Sequence, residues 1–178
     1  MEEHPPISPA ASPERSTAAS PEARSRNMHI ARTSWRREDA VFTDNRYSRA
    51  HTWEFDGGIT VAASASPHVV AAPMSSVAAI DPEEALVAAA SSCHMLSFLY
   101  VAQREGYVVD SYDDDAYGLL ERVDRRKLAI TRIVLRPRIA FSGDKLPDEA
   151  AIVHLHHLAH EECYIANSLK SEISVRTG

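Results

Sequence analysis

The stretch that decides the fold is DPEEALVAAASSCHML, Asp81 to Leu96. Asp81 is an N-cap acceptor, Pro82 has the fixed φ favoured at a first helical position, and Glu83 and Glu84 place acid in the first turn. An apolar stripe then runs Leu86, Ala89/Ala90, Cys93, Leu96 and Leu99/Tyr100, until Gly106 closes the helix. A helix this long and nearly uncharged is expected to be central and buried. Nothing between Glu84 and Ser92 breaks it, because the stretch holds no Gly or Pro. Glu83 and Cys93 therefore lie about 15 Å apart along the axis and roughly 80° apart around it.

On its N-terminal side, Arg49–Phe55 alternates as a strand, with His51, Trp53 and Phe55 opposing Ala50, Thr52 and Glu54. Asp56-Gly57-Gly58 reads as a hairpin turn, Ile59–Ala63 as the return strand, and Ser64–Ile80, with Pro67 and Pro73, as an irregular loop. On its C-terminal side, Asp113-Asp114-Asp115 reads as a solvated acidic turn. Tyr117–Val123 reads as a strand, Asp124–Lys127 as a turn and Leu128–Phe141 as one long strand. Pro147-Asp148 opens a second helix through about Glu162, with Ile152, Leu155 and Leu158/Ala159 inward and Cys163 at its end. A helical turn at Ala166–Leu169 and a strand at Ile173–Arg176 follow. The order β-β-α-β-β-α-β, joined by hairpins rather than crossovers, predicts an α+β fold with antiparallel sheets.

Composition narrows the function. The 178 residues are 44% hydrophobic and 25% charged, with a net charge of −6, so a real core can form but no basic nucleic-acid footprint is expected. No run is read as approaching the ~20 apolar residues of a membrane span, so no membrane partner is expected. Residues 1–27 lack the apolar centre of a secretory signal and hold five prolines and five serines without Gly, Trp, Tyr or Phe. They read as a disordered tail, residues 28–178 as the single domain, and Met28 as a candidate natural start. Two cysteines cannot form a disulfide framework, and a reducing, cytoplasmic setting is the expectation.

The two thiols admit two readings. Free cysteine is among the most buried residue types, so both can be small core hydrophobes. They can equally be a peroxidatic and resolving pair, in which a thiolate becomes a sulfenic acid and condenses with a second thiol. Cys93 sits well inside its helix, away from the N-terminal dipole, and the second reading then calls for a cationic neighbour. His154, His156, His157 and His160 include an i,i+4 pair, but no full ligand set accompanies them, so a solvated helix face with one or two histidines near the active site is expected, and no metal. His94 follows Cys93 directly and points ~100° away from it, which favours packing over a nucleophile–base dyad.

The block Asp81–Met95 resembles the helix signature of the osmotically inducible protein C / organic hydroperoxide resistance (OsmC/Ohr) family. Ala159-His160-Glu161-Glu162-Cys163-Tyr164-Ile165-Ala166-Asn167-Ser168-(x)-Lys170 resembles its second-cysteine block, and Leu128–Pro137 its intervening strand. The resemblance extends over about Arg49 to Val175. It departs from the family pattern at His94, where hydroperoxide-resistance members carry an apolar residue, and at Cys163-Tyr164, where they have Cys-Pro. The resemblance implies antiparallel sheets wrapped around two long central helices in an intertwined homodimer, and a thiol peroxidase acting on organic hydroperoxides. It makes Cys93 the peroxidatic thiol, Cys163 the resolving thiol and Glu83 the residue that positions an arginine, matched by Arg49 with Arg46 as the alternative. It further implies an external thiol reductant, a lipoyl-type or other thiol system, and no bound cofactor. With Glu83 and Cys93 so far apart on one helix, a site using both requires Glu83 from a second subunit. The other reading is a non-enzymatic member of the same fold, a small-ligand or interaction protein with structural cysteines.

Overall fold

The computed structural model describes residues 28–176; the expected tail, 1–27, lies outside the described residues. Strands β1 (Ala31–Ser34), β2 (His51–Phe55) and β3 (Thr60–Ala63) form an antiparallel sheet in that order. Helix α1 (Pro82–Arg104) follows, started as its sequence dictates. The Asp81 carboxylate accepts from the Glu84 N–H (2.7 Å) and the Glu84 carboxylate accepts from the Asp81 N–H (3.2 Å), a complete capping box. Then come β4 (Val108–Asp114), β5 (Tyr117–Asp124), β6 (Lys127–Leu135), β7 (Pro137–Ser142), α2 (Glu149–Glu162), α3 (Tyr164–Ser168) and β8 (Glu172–Val175). The architecture is α+β.

Three expectations are corrected. The single strand Leu128–Phe141 is two strands broken at Arg136, since Pro137 cannot donate to a ladder. The chain there changes partner: β6 pairs with β5, whereas β7 pairs with β4. The last strand is not antiparallel; β8 runs parallel to β6, with Ile133 beside Ile173. The acidic turn is in part strand. Asp113 and Asp114 end β4, Asp114 accepts from the Ser91 hydroxyl and the Arg136 N–H, and Asp115 pairs with Arg138 at 2.6 Å.

The core forms two clusters on α1. Phe98, Val101 and Ala102 pack with Leu155 and Ala159 of α2, and Ala90 packs with Ile133 and Leu135 of β6. The expected stripe is therefore rotated: Ala90, His94 and Phe98 are buried, whereas Leu96 is 61% and Tyr100 55% exposed. In this single chain only 28% of the most apolar 18-residue window of α1 is buried, so the helix is central but not enclosed. The reading that no run approaches a membrane span is also corrected. Among the described residues α1 is the one helix long and apolar enough by length and composition, because Leu, Val and Ala bring its most apolar 18-residue window to a mean hydropathy of 1.6 even though Ser and His interrupt it.

Candidate active site

Cys93 and Cys163, 70 positions apart, are brought together where α1 meets the α2–α3 junction. Cys93 is half-buried; Cys163 is fully buried and serves as both the C-cap of α2 and the N-cap of α3. The first turn of α3 offers an N–H to each sulfur: Ile165 N to Cys93 Sγ at 3.5 Å, and Ala166 N to Cys163 Sγ at 3.4 Å. Burial, and then its hydrogen bond with Cys93, push the Cys163 thiol above its ordinary pKa. Cys163 is thus held as a thiol next to a Cys93 sulfur that already accepts a backbone N–H. The sequence carries no sign of this donor, since nothing local to Cys93 signals a backbone amide 72 residues away.

The other two predicted site residues lie apart from the sulfurs. Glu83, in the first turn of α1, has a buried Oε2 with no hydrogen-bond partner among the described residues. It lines a cavity of about 1010 Å³ with His68, Ser91, Ser92, Met95 and Tyr112. The Tyr112 hydroxyl is likewise buried without a partner, and burial followed by the Asp114 charge raises its pKa. Arg49 donates to the Asn45 carbonyl (3.0 Å), the Asn45 Oδ1 (2.6 Å) and the Tyr47 carbonyl, with its guanidinium 3.9 Å from the Tyr47 ring centroid. It shares a groove with Pro82, next to Glu83 in sequence, yet within one chain it is bonded to neither Glu83 nor Cys93. Arg46 is exposed.

His94 does pack rather than serve Cys93. It is 1% exposed, and its Nε2 lies 3.0 Å from Nδ1 of the 5%-exposed His156. Burial holds both imidazoles down at about 4. The histidines of α2 divide: His156 is buried, whereas His157 is exposed and pairs with Glu161 at 3.4 Å. Among the described residues no group of three or more His, Cys, Asp or Glu side chains could hold a metal ion.

These features coincide with a known family. The model of the OsmC-like proteins matches residues 75–178, which contain both cysteines and Glu83, and the chain belongs to that family. An OsmC-like protein of unknown function from Vibrio cholerae O1 biovar eltor is 52% identical, with a TM-score of 0.81 over 85% of this chain and 99% of that one. An organic hydroperoxide resistance protein from Legionella pneumophila shares the fold at 15% identity, with a TM-score of 0.60 over 86% of this chain and 100% of the other. The uncharacterized protein YmaD of Bacillus subtilis is 22% identical over 97 residues; the match takes in 54% of this chain and 64% of that relative's length.

Proposed function

We propose that this chain is a thiol peroxidase that reduces organic hydroperoxides with Cys93 and Cys163. The observation that carries the reading is the pairing of a half-buried Cys93 sulfur, receiving the Ile165 N–H, with a buried Cys163 thiol beside it. The Cys93 thiolate attacks the distal oxygen of the hydroperoxide. The O–O bond breaks, the alcohol leaves with a proton, and Cys93 becomes a sulfenic acid. The Cys163 sulfur then attacks Cys93, an S–S bond forms and water departs. An external dithiol, of lipoyl type in our reading, exchanges with the disulfide and restores both thiols. No bound cofactor takes part.

We further propose a two-fold homodimer with two composite sites. Two features of the single chain support it. Leu96 and Tyr100 leave an apolar face of α1 exposed, and Glu83 has a buried carboxylate oxygen without a partner. In the dimer Glu83 of one chain positions Arg49 toward Cys93 of the other. Met95, which lines the large cavity, then favours an apolar substrate body over hydrogen peroxide.

The test is a titration with one equivalent of cumene hydroperoxide, followed by thiol counting and peptide mapping. The reading predicts loss of both thiols and an intrachain Cys93–Cys163 link. Two thiols still free after excess hydroperoxide would favour structural cysteines.

A further inference from the structure

The last carbonyls of a helix have no partner within it, and at the end of α2 two of them are met by the corner that holds Cys163. The His160 carbonyl accepts the Cys163 N–H at 3.3 Å, and the Glu161 carbonyl accepts the Nδ2–H of Asn167 at 2.9 Å. Cys163 itself is extended, with φ −77° and ψ 108°, so the chain turns there from one helix into the next. Asn167 also donates its backbone N–H to the Cys163 carbonyl at 3.0 Å, which closes the turn of α3. One residue therefore ties α3 to both sides of the corner.

Packing alone does not supply the direction of α3. Ile165 and Leu169 lie against the cluster of Ala90, Ile133 and Leu135, which keeps α3 close to α1. Apolar contact is not directional, whereas a hydrogen bond weakens steeply as its angle closes. The Ile165 N–H meets Cys93 Sγ at 3.5 Å, so a small rotation of α3 would uncouple it. The Asn167 side chain is exposed, and its bond to Glu161 contributes orientation rather than buried area. Because a carbonyl only accepts, that bond requires a side chain at position 167 that donates.

We propose that Asn167 is a positioning residue: by holding the Glu161 carbonyl it aims the Ile165 N–H at Cys93 and so raises the nucleophilic reactivity of that sulfur near neutral pH. An N–H directed at sulfur favours the thiolate, because an anion is the stronger acceptor. The inference rests on the peroxidase reading for its consequence, since the thiolate is the form that attacks a hydroperoxide. Its physical content concerns the reactivity of one sulfur toward any electrophile. The titratable group bonded to Cys93 is Cys163, whose thiol is held above its ordinary pKa. The bonds of Asn167 go to carbonyls, not to either sulfur, so its effect on Cys93 passes through the turn.

The experiment is alkylation of the reduced full-length protein by iodoacetamide, with Cys93 and Cys163 followed separately by peptide mass. Asn167→Asp keeps the shape and replaces the donor by an acceptor, whereas Asn167→Ala removes the donor without adding charge. At pH 6 both should alkylate at Cys93 about fivefold more slowly than the wild type, the size of one net hydrogen bond. At pH 10, where free thiols are ionised, the three rates should agree within about twofold. By NMR the Ile165 amide should exchange with deuterium at least about threefold faster in Asn167→Ala. Unchanged rates at pH 6, an Ile165 amide that exchanges as in the wild type, or faster alkylation at both pH values would each overturn the proposal, the last by showing that the corner merely opens. Slowing in Asn167→Asp alone would overturn it too, by assigning the effect to charge. If Cys93 responds as expected while the wild type consumes no cumene hydroperoxide, the positioning stands and the peroxidase reading falls.

Discussion

At the scale of the residue, the two buried imidazoles make stability depend on pH. Both pKa values are held at about 4 in the folded chain against an ordinary value of 6.5. The unfolded chain therefore takes up protons at a higher pH than the folded one. The stabilisation is complete above about pH 6.5 and is lost as pH falls toward 4, on the order of 3 kcal/mol for the first ring to charge. Melting temperatures measured at pH 7.5, 5.5 and 4.5 should fall steeply over the last two. Replacing His94 and His156 together by Leu and Phe should flatten that dependence. A wild-type melting temperature that does not change down to pH 4.5 would contradict the burial argument.

At the scale of the element, α1 depends on its start and on one close approach. Asp81→Ala removes the carboxylate that caps Glu84 and should cost about 1 kcal/mol, measured by urea unfolding. Gly118 of β5 faces α1 so closely that an added Cβ would lie 2.7 Å from Val87 Cγ2 and 3.2 Å from Ile130 Cγ2. Val87 is β-branched and cannot swing aside, so Gly118→Ala should cost roughly 1–3 kcal/mol by overpacking. The bounds of α1 were legible because caps are local chemistry, and α2 likewise starts where Asp148 accepts from the Ala151 N–H. Strand β4 was not legible. The register shift between Val109 and Ser111 puts its half-buried residues Val109 and Tyr112 three apart, which hides the period-two signal. Strand β1, Ala-Arg-Thr-Ser, has no apolar pattern to read, and the parallel pairing of β8 is a tertiary choice that four residues do not encode. Of the site, the two cysteine blocks were readable by resemblance. The Ile165 donor and the His94–His156 contact were not, because sequence separations of 72 and 62 carry no spacing signal.

At the scale of the whole molecule, the exposed face of α1 and the unpartnered Glu83 belong to one account. If Leu96 is covered by a second copy, Leu96→Asp should shift the protein to monomers in sedimentation and lower peroxidase activity at least about tenfold, since a desolvated charge there opposes association. Mixing inactive Cys93→Ser and Glu83→Ala chains under subunit exchange should restore partial activity, because one site in each heterodimer regains every wild-type group. Verified heterodimers without recovery would refute the shared site. The central claim concerns one sulfur, and steady-state turnover of cumene hydroperoxide with a dithiol reductant tests it most directly. Cys93→Ser is predicted to lose turnover by at least about a thousandfold, the loss of a nucleophile with no substitute. Near wild-type turnover in folded Cys93→Ser protein would contradict the account.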